Sequence, residues 1–488
     1  MKIKHGVMCS SNRITLLACL LITLAISVQS QTARTALSLH HGTFNEQSID
    51  YSSLVNEYFF YADSNLLHAV SAMTIAYIKE NNPSGLERPL LFVFNGGPGA
   101  SSSPLHMNAF GPWRIKRFDS TSTLIENPYS LLDLTDLVFI DPPGTGYTRI
   151  LDSKAAAAYW DVKGDAQMML DIIQKWKREN HREASPVFLC GESYGTTRAA
   201  TMLGLAKKQS IEGVIFLSSL FDLSIVTPAP ANDMPYILFL PSMAATAWYH
   251  HKLNPKIKTV TQAYENAIGF AQKEYISALV SGNALASRER NRIALKLSTL
   301  TGLSEQTILK KNLRITPEDF EHFLLASQGK RIGQLNSQVT GPLHTPGVKP
   351  PFDDPSMTLN PSTRAIAGKY FNEILQFSDT VPYKTLNLEV NSKWNWTSMQ
   401  EDIGYATVAP YITRALHENP SLHLFVAGGY YDLATPLYAA RFVLEHAGVP
   451  AVRVTYANFP TGHSIFENEE ELKKLAGQIR MFMLHSTN

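Results

Sequence analysis

The chain is poor in cysteine, in net charge and in repetition, and each shortage excludes something. Three of its 488 residues are cysteines. Cys9 and Cys19 fall in an N-terminal stretch expected to be removed, which leaves Cys190 alone and no internal disulfide to be made. Stability must then come from burial, and a chain of this length can bury a large core as one big domain with an insertion or as two domains. Lys and Arg number 43 against 42 Asp and Glu, a formal net charge of +1 with no long run of either sign. That balance offers no footprint for nucleic acid or for an anionic membrane surface. Metal-ligand clusters are missing too. His40-His41 and His250-His251 are adjacent pairs, and neighbouring residues on a strand or helix point in different directions. No metal or cofactor is expected, and no internal repeat or low-complexity tract is visible.

What is present begins with a leader. Lys2, Lys4, His5 and Arg13 precede an apolar run from Ile14 to Val28, followed by Gln29-Ser30-Gln31. This reads as a secretory signal peptide over residues 1–30, cut after Ser30, and so as an exported, periplasmic or secreted protein. The run is short for a membrane span and carries Thr15, Thr23 and Ser27, so no stable membrane insertion is expected once it is removed. Leu16-Leu17-Ala18-Cys19 faintly resembles a lipoprotein box, but the apolar region continues well past Cys19.

Beyond the leader, short alternating segments between Thr35 and Lys79 read as strands in hairpins. Apolar runs at Pro89–Phe94, Leu137–Ile140, Val187–Cys190 and Val214–Leu217 read as buried strands. Val162, Ala166, Met169, Ile173 and Trp176 recur at helical spacing between two of them. Alternating strands and helices predict an α/β protein with a mostly parallel sheet flanked by helices, whose ligands bind at the carboxyl ends of the strands. From about Asp222 to Lys393 the pattern becomes mostly helical, with Tyr264, Ile268, Ala271, Tyr275 and Leu279 on one face, before strands resume at His423–Ala427 and Arg453–Tyr456. The expected organisation is a first core part at 31–221, a helical cap inserted at 222–393, and a second core part at 394–488.

One stretch organises the rest. Val187–Cys190 runs into Gly191-Glu192-Ser193-Tyr194-Gly195, and a helix is expected from Tyr194. A strand that reverses into a helix over one residue needs small neighbours, and such a turn exposes the serine hydroxyl beside a helix N-terminus. Chance also places G-x-S-x-G in chains, and a serine at neutral pH needs a base and the base an orienting acid. In this kind of sheet the order is serine, acid, histidine, on loops after late strands. Asp432 follows the strand His423–Ala427, and His463 follows Arg453–Tyr456. Taken singly, Asp432 is an ordinary turn former and Gly462-His463 loop punctuation. Their order and placement together make Ser193, Asp432 and His463 the candidate catalytic set.

Asn95-Gly96-Gly97-Pro98-Gly99-Ala100-Ser101-Ser102, Asp141-Pro142-Pro143-Gly144-Thr145-Gly146-Tyr147, Gly191–Gly195, Asp432 and Gly462-His463 together resemble the serine carboxypeptidase family, and its exported bacterial branch in particular. The resemblance implies an α/β-hydrolase fold with an inserted helical cap and a peptide substrate. It implies Ser193 as nucleophile, His463 as base and then acid, Asp432 as its orienter, and the backbone N–H groups of Gly97 and Tyr194 as an oxyanion hole. The glycine at 97 is expected to let backbone approach the oxyanion without a side chain intervening. Asn95 and Glu192 would hold the substrate's C-terminal carboxylate, Glu192 as a donor only when burial keeps it protonated.

Two departures bear on that last role. Val93 stands where the family usually has tryptophan, and Ala109 where it has a second glutamate. Carboxypeptidase action is therefore the leading expectation. An esterase-like acyl hydrolase or acyltransferase on the same triad, or a silent binding protein on the scaffold, stand as alternatives. Asn395-Trp396-Thr397 is a glycosylation sequon.

Overall fold

A run of five apolar residues has no polar face to offer water, so as a strand it must be covered on both sides. Runs of four or five such residues, buried along their length, occur in five neighbouring strands in the middle of one sheet. The computed structural model describes residues 33–61, 68–81, 88–118, 121–154, 156–206, 211–343, 353–357, 366–396 and 407–486. The leader at 1–30, with Cys9 and Cys19, and Thr397 of the sequon lie outside the described residues. The chain divides into Met1–Arg34 and Thr35–Asn488, and the fold is that of the second unit.

Among the described residues fourteen strands follow one another: β1 Thr35–Phe44, β2 Gln47–Tyr61, β3 His68–Lys79, β4 Leu90–Phe94, β5 Trp113–Phe118, β6 Thr121–Glu126, β7 Asp136–Ile140, β8 Arg149–Ile150, β9 Val187–Glu192, β10 Ile211–Leu217, β11 Lys330–Ile332, β12 Thr340–Pro342, β13 His423–Gly429 and β14 Val454–Phe459. The main sheet has the order β1-β2-β3-β7-β4-β9-β10-β13-β14, with β8 paired to β3. From β7 to β14 all neighbours are parallel, whereas β1, β2 and β3 form an antiparallel start. The hairpin β5–β6 forms a separate two-stranded sheet that the sequence pattern did not announce.

Alternation along the central strands divides the core in two. Leu90, Phe92 and Phe94 of β4 face one cluster, with Val138, Leu189 and Val214, while Leu91 and Val93 face the other, with Phe139, Phe188 and Ile215. The first cluster is covered by helices Val162–Glu179 and Tyr194–Leu205, the second by Glu469–Ser486. Asp161 caps the first helix by accepting from Gly164 N–H at 2.8 Å. Val162, Ala166, Met169, Ile173 and Trp176 are all buried along it. Cys190 is a buried free thiol in the second cluster, a packing residue.

Between β10 and β13 the chain leaves the sheet. Helices Met234–Tyr249, Val260–Phe270, Ser287–Thr301, Glu305–Lys310 and Pro317–Phe323 gather a core of their own, with Phe239, Phe270, Tyr275, Leu297 and Phe320, and the small sheet β11–β12 follows. Leu433, next to Asp432, belongs to that core. The last strand begins one residue later than its apolar pattern suggests. Ala451–Arg453 form a 3-10 turn behind Pro450, and the Arg453 guanidinium bonds Leu422 C=O at 2.8 Å.

Trp176 is fully buried, edge-on to Phe92 with ring centroids 5.9 Å apart, and among the described residues its indole N–H has no partner. Trp176→Ala should destabilise the fold by about 3–5 kcal/mol. Trp176→Phe, which also removes the unpaired N–H, should cost well under half of that. Denaturant midpoints of the two variants check the order.

Candidate active site

Strand β9 ends at Glu192 and the next helix starts at Tyr194, so Ser193 alone makes the reversal. Its backbone sits at φ 59°, ψ −129°. An L-residue adopts such angles only when its surroundings hold it there. Ser193 N–H donates to Leu217 C=O at 3.0 Å, and its own C=O accepts from Thr196 N–H at 2.9 Å and the Thr196 hydroxyl at 2.7 Å. Space excludes a side chain at Gly191 and is tight at Gly195. A Cβ on Gly191 would lie 2.3 Å from Gly195 O, and one on Gly195 3.0 Å from Phe94 O.

Strand β13 delivers Asp432 and β14 delivers His463. Asp432 is fully buried, and its Oδ1 accepts from Ala434 N–H at 2.8 Å and Thr435 N–H at 3.0 Å. Its Oδ2 accepts the Thr435 hydroxyl at 2.8 Å and lies 2.8 Å from His463 Nδ1. The bond network thus places a ring proton on Nδ1, facing Asp432. Burial would push His463 down, but the charge of Asp432, its hydrogen bond and the charge of Glu192 lift it to about 9. For Asp432 burial pushes upward, and the His463 charge and the bonds it accepts hold it below the usual carboxylate range.

Among the described residues no hydrogen bond joins the Ser193 hydroxyl to His463. The two loops meet one residue to the side, where Ser464 Oγ donates to Glu192 Oε1 at 3.0 Å. The His463 backbone is pinned at both ends: its N–H donates to Leu335 C=O at 2.7 Å, and its C=O accepts the Ser218 hydroxyl at 2.5 Å.

Glu192 and Asn95 are both buried, and the Asn95 amide donates to Glu192 Oε2. Asn95 Oδ1 accepts Leu105 N–H at 3.1 Å, and its backbone C=O accepts from the Arg198 guanidinium. Arg198 is in turn paired with buried Asp165 at 2.6 Å. Asn95 is therefore fixed through its side chain and its main chain. Burial raises the Glu192 carboxyl to about 7, against the opposing pull of the His463 charge and the Ser464 bond.

The two glycines of the 96–97 loop meet different constraints. The close approach to the Ser193 turn is made by Gly96, where a Cβ would lie 2.5 Å from both Tyr194 N and Gly195 N. Gly97 needs its glycine for conformation, φ +101°. Among the described residues the Gly97 N–H has no acceptor. Asp141 steadies the same loop: Oδ1 accepts from Ser102 N–H at 3.0 Å, its hydroxyl at 2.8 Å and Tyr383 OH at 2.8 Å, while Oδ2 accepts Tyr147 N–H at 3.2 Å. Val93 and Ala109 are buried core residues.

Thr435, Ser218, Ser464 and Leu335 were not singled out from the sequence. Thr435, three residues after Asp432, fits a side-chain-to-backbone turn and could have been found. Leu335 acts through its carbonyl, which no residue type signals. Surface hollows of about 820 Å³, near Asp222 and His446, and about 870 Å³, near Phe425 and Lys474, are lined by none of Ser193, Asp432 and His463.

A mostly parallel sheet flanked by helices, with a strand-to-helix turn at Ser193 after β9 and an aspartate and a histidine after its last two strands, is an α/β-hydrolase fold. The solved prohormone-processing carboxypeptidase of Saccharomyces cerevisiae superposes with a TM-score of 0.54 over 88% of this chain and 90% of that one, at 13% identity. At sequence level, residues 75–220 match the serine carboxypeptidase family model, a span that ends before Asp432 and His463. A pheromone-processing carboxypeptidase of Podospora anserina is 34% identical over 102 residues, 20% of this chain and 16% of that protein. Serine carboxypeptidase-like 20 of Arabidopsis thaliana is 28% identical over 127 residues, 25% of each chain. The chain thus spans a quarter or less of the length of these curated relatives. They are fungal and plant proteins and lend no support to a bacterial branch.

Gly96→Ala should drive the loop off the Ser193 turn. If one oxyanion donor is lost with it, reactivity of Ser193 toward an acyl substrate should fall by about 10²–10³. Circular dichroism on the same sample distinguishes this from unfolding.

Proposed function

We propose that the protein is a serine-type carboxypeptidase that releases C-terminal residues from peptides through an acyl-enzyme. The observation that carries this reading is a buried, protonatable carboxyl, Glu192, bonded to Asn95 and adjacent in sequence to a serine held at positive φ. Beside them a histidine is oriented by a buried aspartate.

In this reading His463 Nε2 takes the Ser193 proton as Oγ attacks the scissile carbonyl. Asp432 keeps the ring in the Nδ1–H tautomer and stabilises the cation that forms. The N–H groups of Gly97 and Tyr194 receive the oxyanion. His463 then protonates the leaving amine, and water repeats the sequence on the acyl-enzyme. A protonated Glu192 and the Asn95 amide grip the free C-terminal carboxylate. Ionised Glu192 would repel it.

The second reading, an ester hydrolase or acyltransferase on the same triad, draws on Ala109, which supplies no second carboxyl. A silent binding scaffold is disfavoured by the satisfied bonds of Asp432 and His463. The parts 31–221 and 394–488 form the core in this proposal, with 222–393 as the cap, in keeping with the excursion between β10 and β13. Export is supported by the basic-then-apolar pattern of residues 1–30. Among the described residues no helix is long and apolar enough to cross a membrane.

Ser193→Ala and His463→Ala should each lower kcat by roughly 10⁶ if the three residues act as a unit. A panel pairing free-acid peptides with their C-terminal amides separates the two enzyme readings. The ratio of the two kcat/KM values cancels the titration of His463 and should fall as pH rises through about 7, where Glu192 ionises. In Glu192→Gln the ratio should be flat. Equal turnover of acid and amide at every pH would exclude the carboxypeptidase.

A further inference from the structure

We propose that Ser464 is a positioning residue for carboxylate recognition, its hydroxyl holding the Glu192 carboxyl from the residue next to the base. The assignment rests on the carboxypeptidase reading and deepens it.

The geometry is specific. Strand β14 ends at Phe459, and the five residues after it carry the chain over the end of the sheet to Ser464, just before the 3-10 turn Ile465–Glu467. Ser464 has φ −93° and ψ 94°, an extended conformation that any residue adopts. Its side chain is therefore free to choose a partner, and it donates to Glu192 Oε1 at 3.0 Å. The other carboxyl oxygen takes the Asn95 amide. Each oxygen of a buried carboxyl thus has one neutral donor from a different loop, β4's on one side and β14's on the other.

Two neutral donors stabilise the ionised form of the carboxyl without neutralising it. Removing one leaves that form with less support and favours the protonated acid, which is the form that can donate to a substrate carboxylate. The charged and titratable groups around Glu192 are His463 on the same loop as Ser464, Glu467 on the following turn, Asp432 on the acid loop and Cys190 two residues before it. His463 favours ionised Glu192, while Glu467 and Asp432 oppose it. Ser464 is the group on the base's loop that acts on Glu192 through a hydrogen bond. It therefore links the carboxylate grip to the position of the base, so that a shift of the His463 loop loosens Glu192 at the same time.

The test uses the acid-to-amide ratio of kcat/KM as a function of pH. Ser464→Ala should move the midpoint of the falling ratio upward by on the order of one pH unit. Ser464→Thr, which keeps the hydroxyl and suits the extended backbone, should restore the wild-type midpoint. The profile on the amide reports His463, whose coupling to the Glu192 charge allows a small shift of its own, and the acid-to-amide ratio divides that shift out. An unmoved midpoint in Ser464→Ala would overturn the assignment, and so would an equal shift on acid and amide, which would place the effect on His463. Should Ser464→Ala fail to fold, Ser464→Cys carries the comparison, its weak thiol donor moving the midpoint in the same direction. A wild-type ratio near one at every pH refutes carboxylate recognition itself, and this assignment with it, before any variant is made.

Discussion

Everything in the site depends on one unfavourable backbone conformation, the positive φ of Ser193. A non-glycine residue does not rest there unaided, and the constraints that hold it define the site. Leu217 on β10 takes its N–H, Thr196 takes its carbonyl, and the Gly96 backbone is pressed against the two residues that follow. Three adjacent strands, β4, β9 and β10, therefore converge on one residue. The parallel sheet supplies the stiffness, since its central strands are buried on both faces and cannot shift without disturbing both clusters.

The segment between β10 and β13 reaches the site through its main chain. The loop between β11 and β12 bonds the acid and base loops together: Leu433 N–H donates to Gln334 C=O at 2.9 Å, His463 N–H to Leu335 C=O at 2.7 Å, and Ser337 N–H to Tyr431 C=O at 3.0 Å. Asp354 holds this loop from the other side, accepting Gln334 N–H at 3.1 Å and Leu335 N–H at 2.9 Å. Gly462 has no room for a side chain because Leu335 O and Asn336 lie against it. Asp432 and His463 are thus positioned jointly by the sheet and by the segment between β10 and β13, whose core reaches Leu433 itself.

Much of this was legible in the sequence, for physical reasons. Short apolar runs such as Leu90–Phe94, bounded by Pro89 and the glycine-rich loop after Phe94, fit strands buried on both faces, and the spacing from Val162 to Trp176 fits a helix. The Ser193 turn was readable because steric crowding restricts its neighbours to glycine. The hairpin β5–β6 was not, because Trp113–Phe118 and Thr121–Glu126 carry charged and hydroxyl residues with no clear period. Nor was the brace at Gln334–Ser337, which works through main-chain groups whose partners lie about a hundred residues away in sequence. Glu192 shows the boundary most clearly. Its place beside Ser193 is written in the motif, but that Ser464 and Asn95 share its carboxyl depends on where three loops end.

The central claim is that Ser193 is a nucleophile activated by His463. Treatment with a fluorophosphonate followed by peptide mapping tests it most directly. The account predicts a single stoichiometric adduct on Ser193, formed at least a thousandfold more slowly in His463→Ala, on the scale seen for loss of a triad base. No adduct on Ser193, or one that forms equally fast without His463, would contradict it.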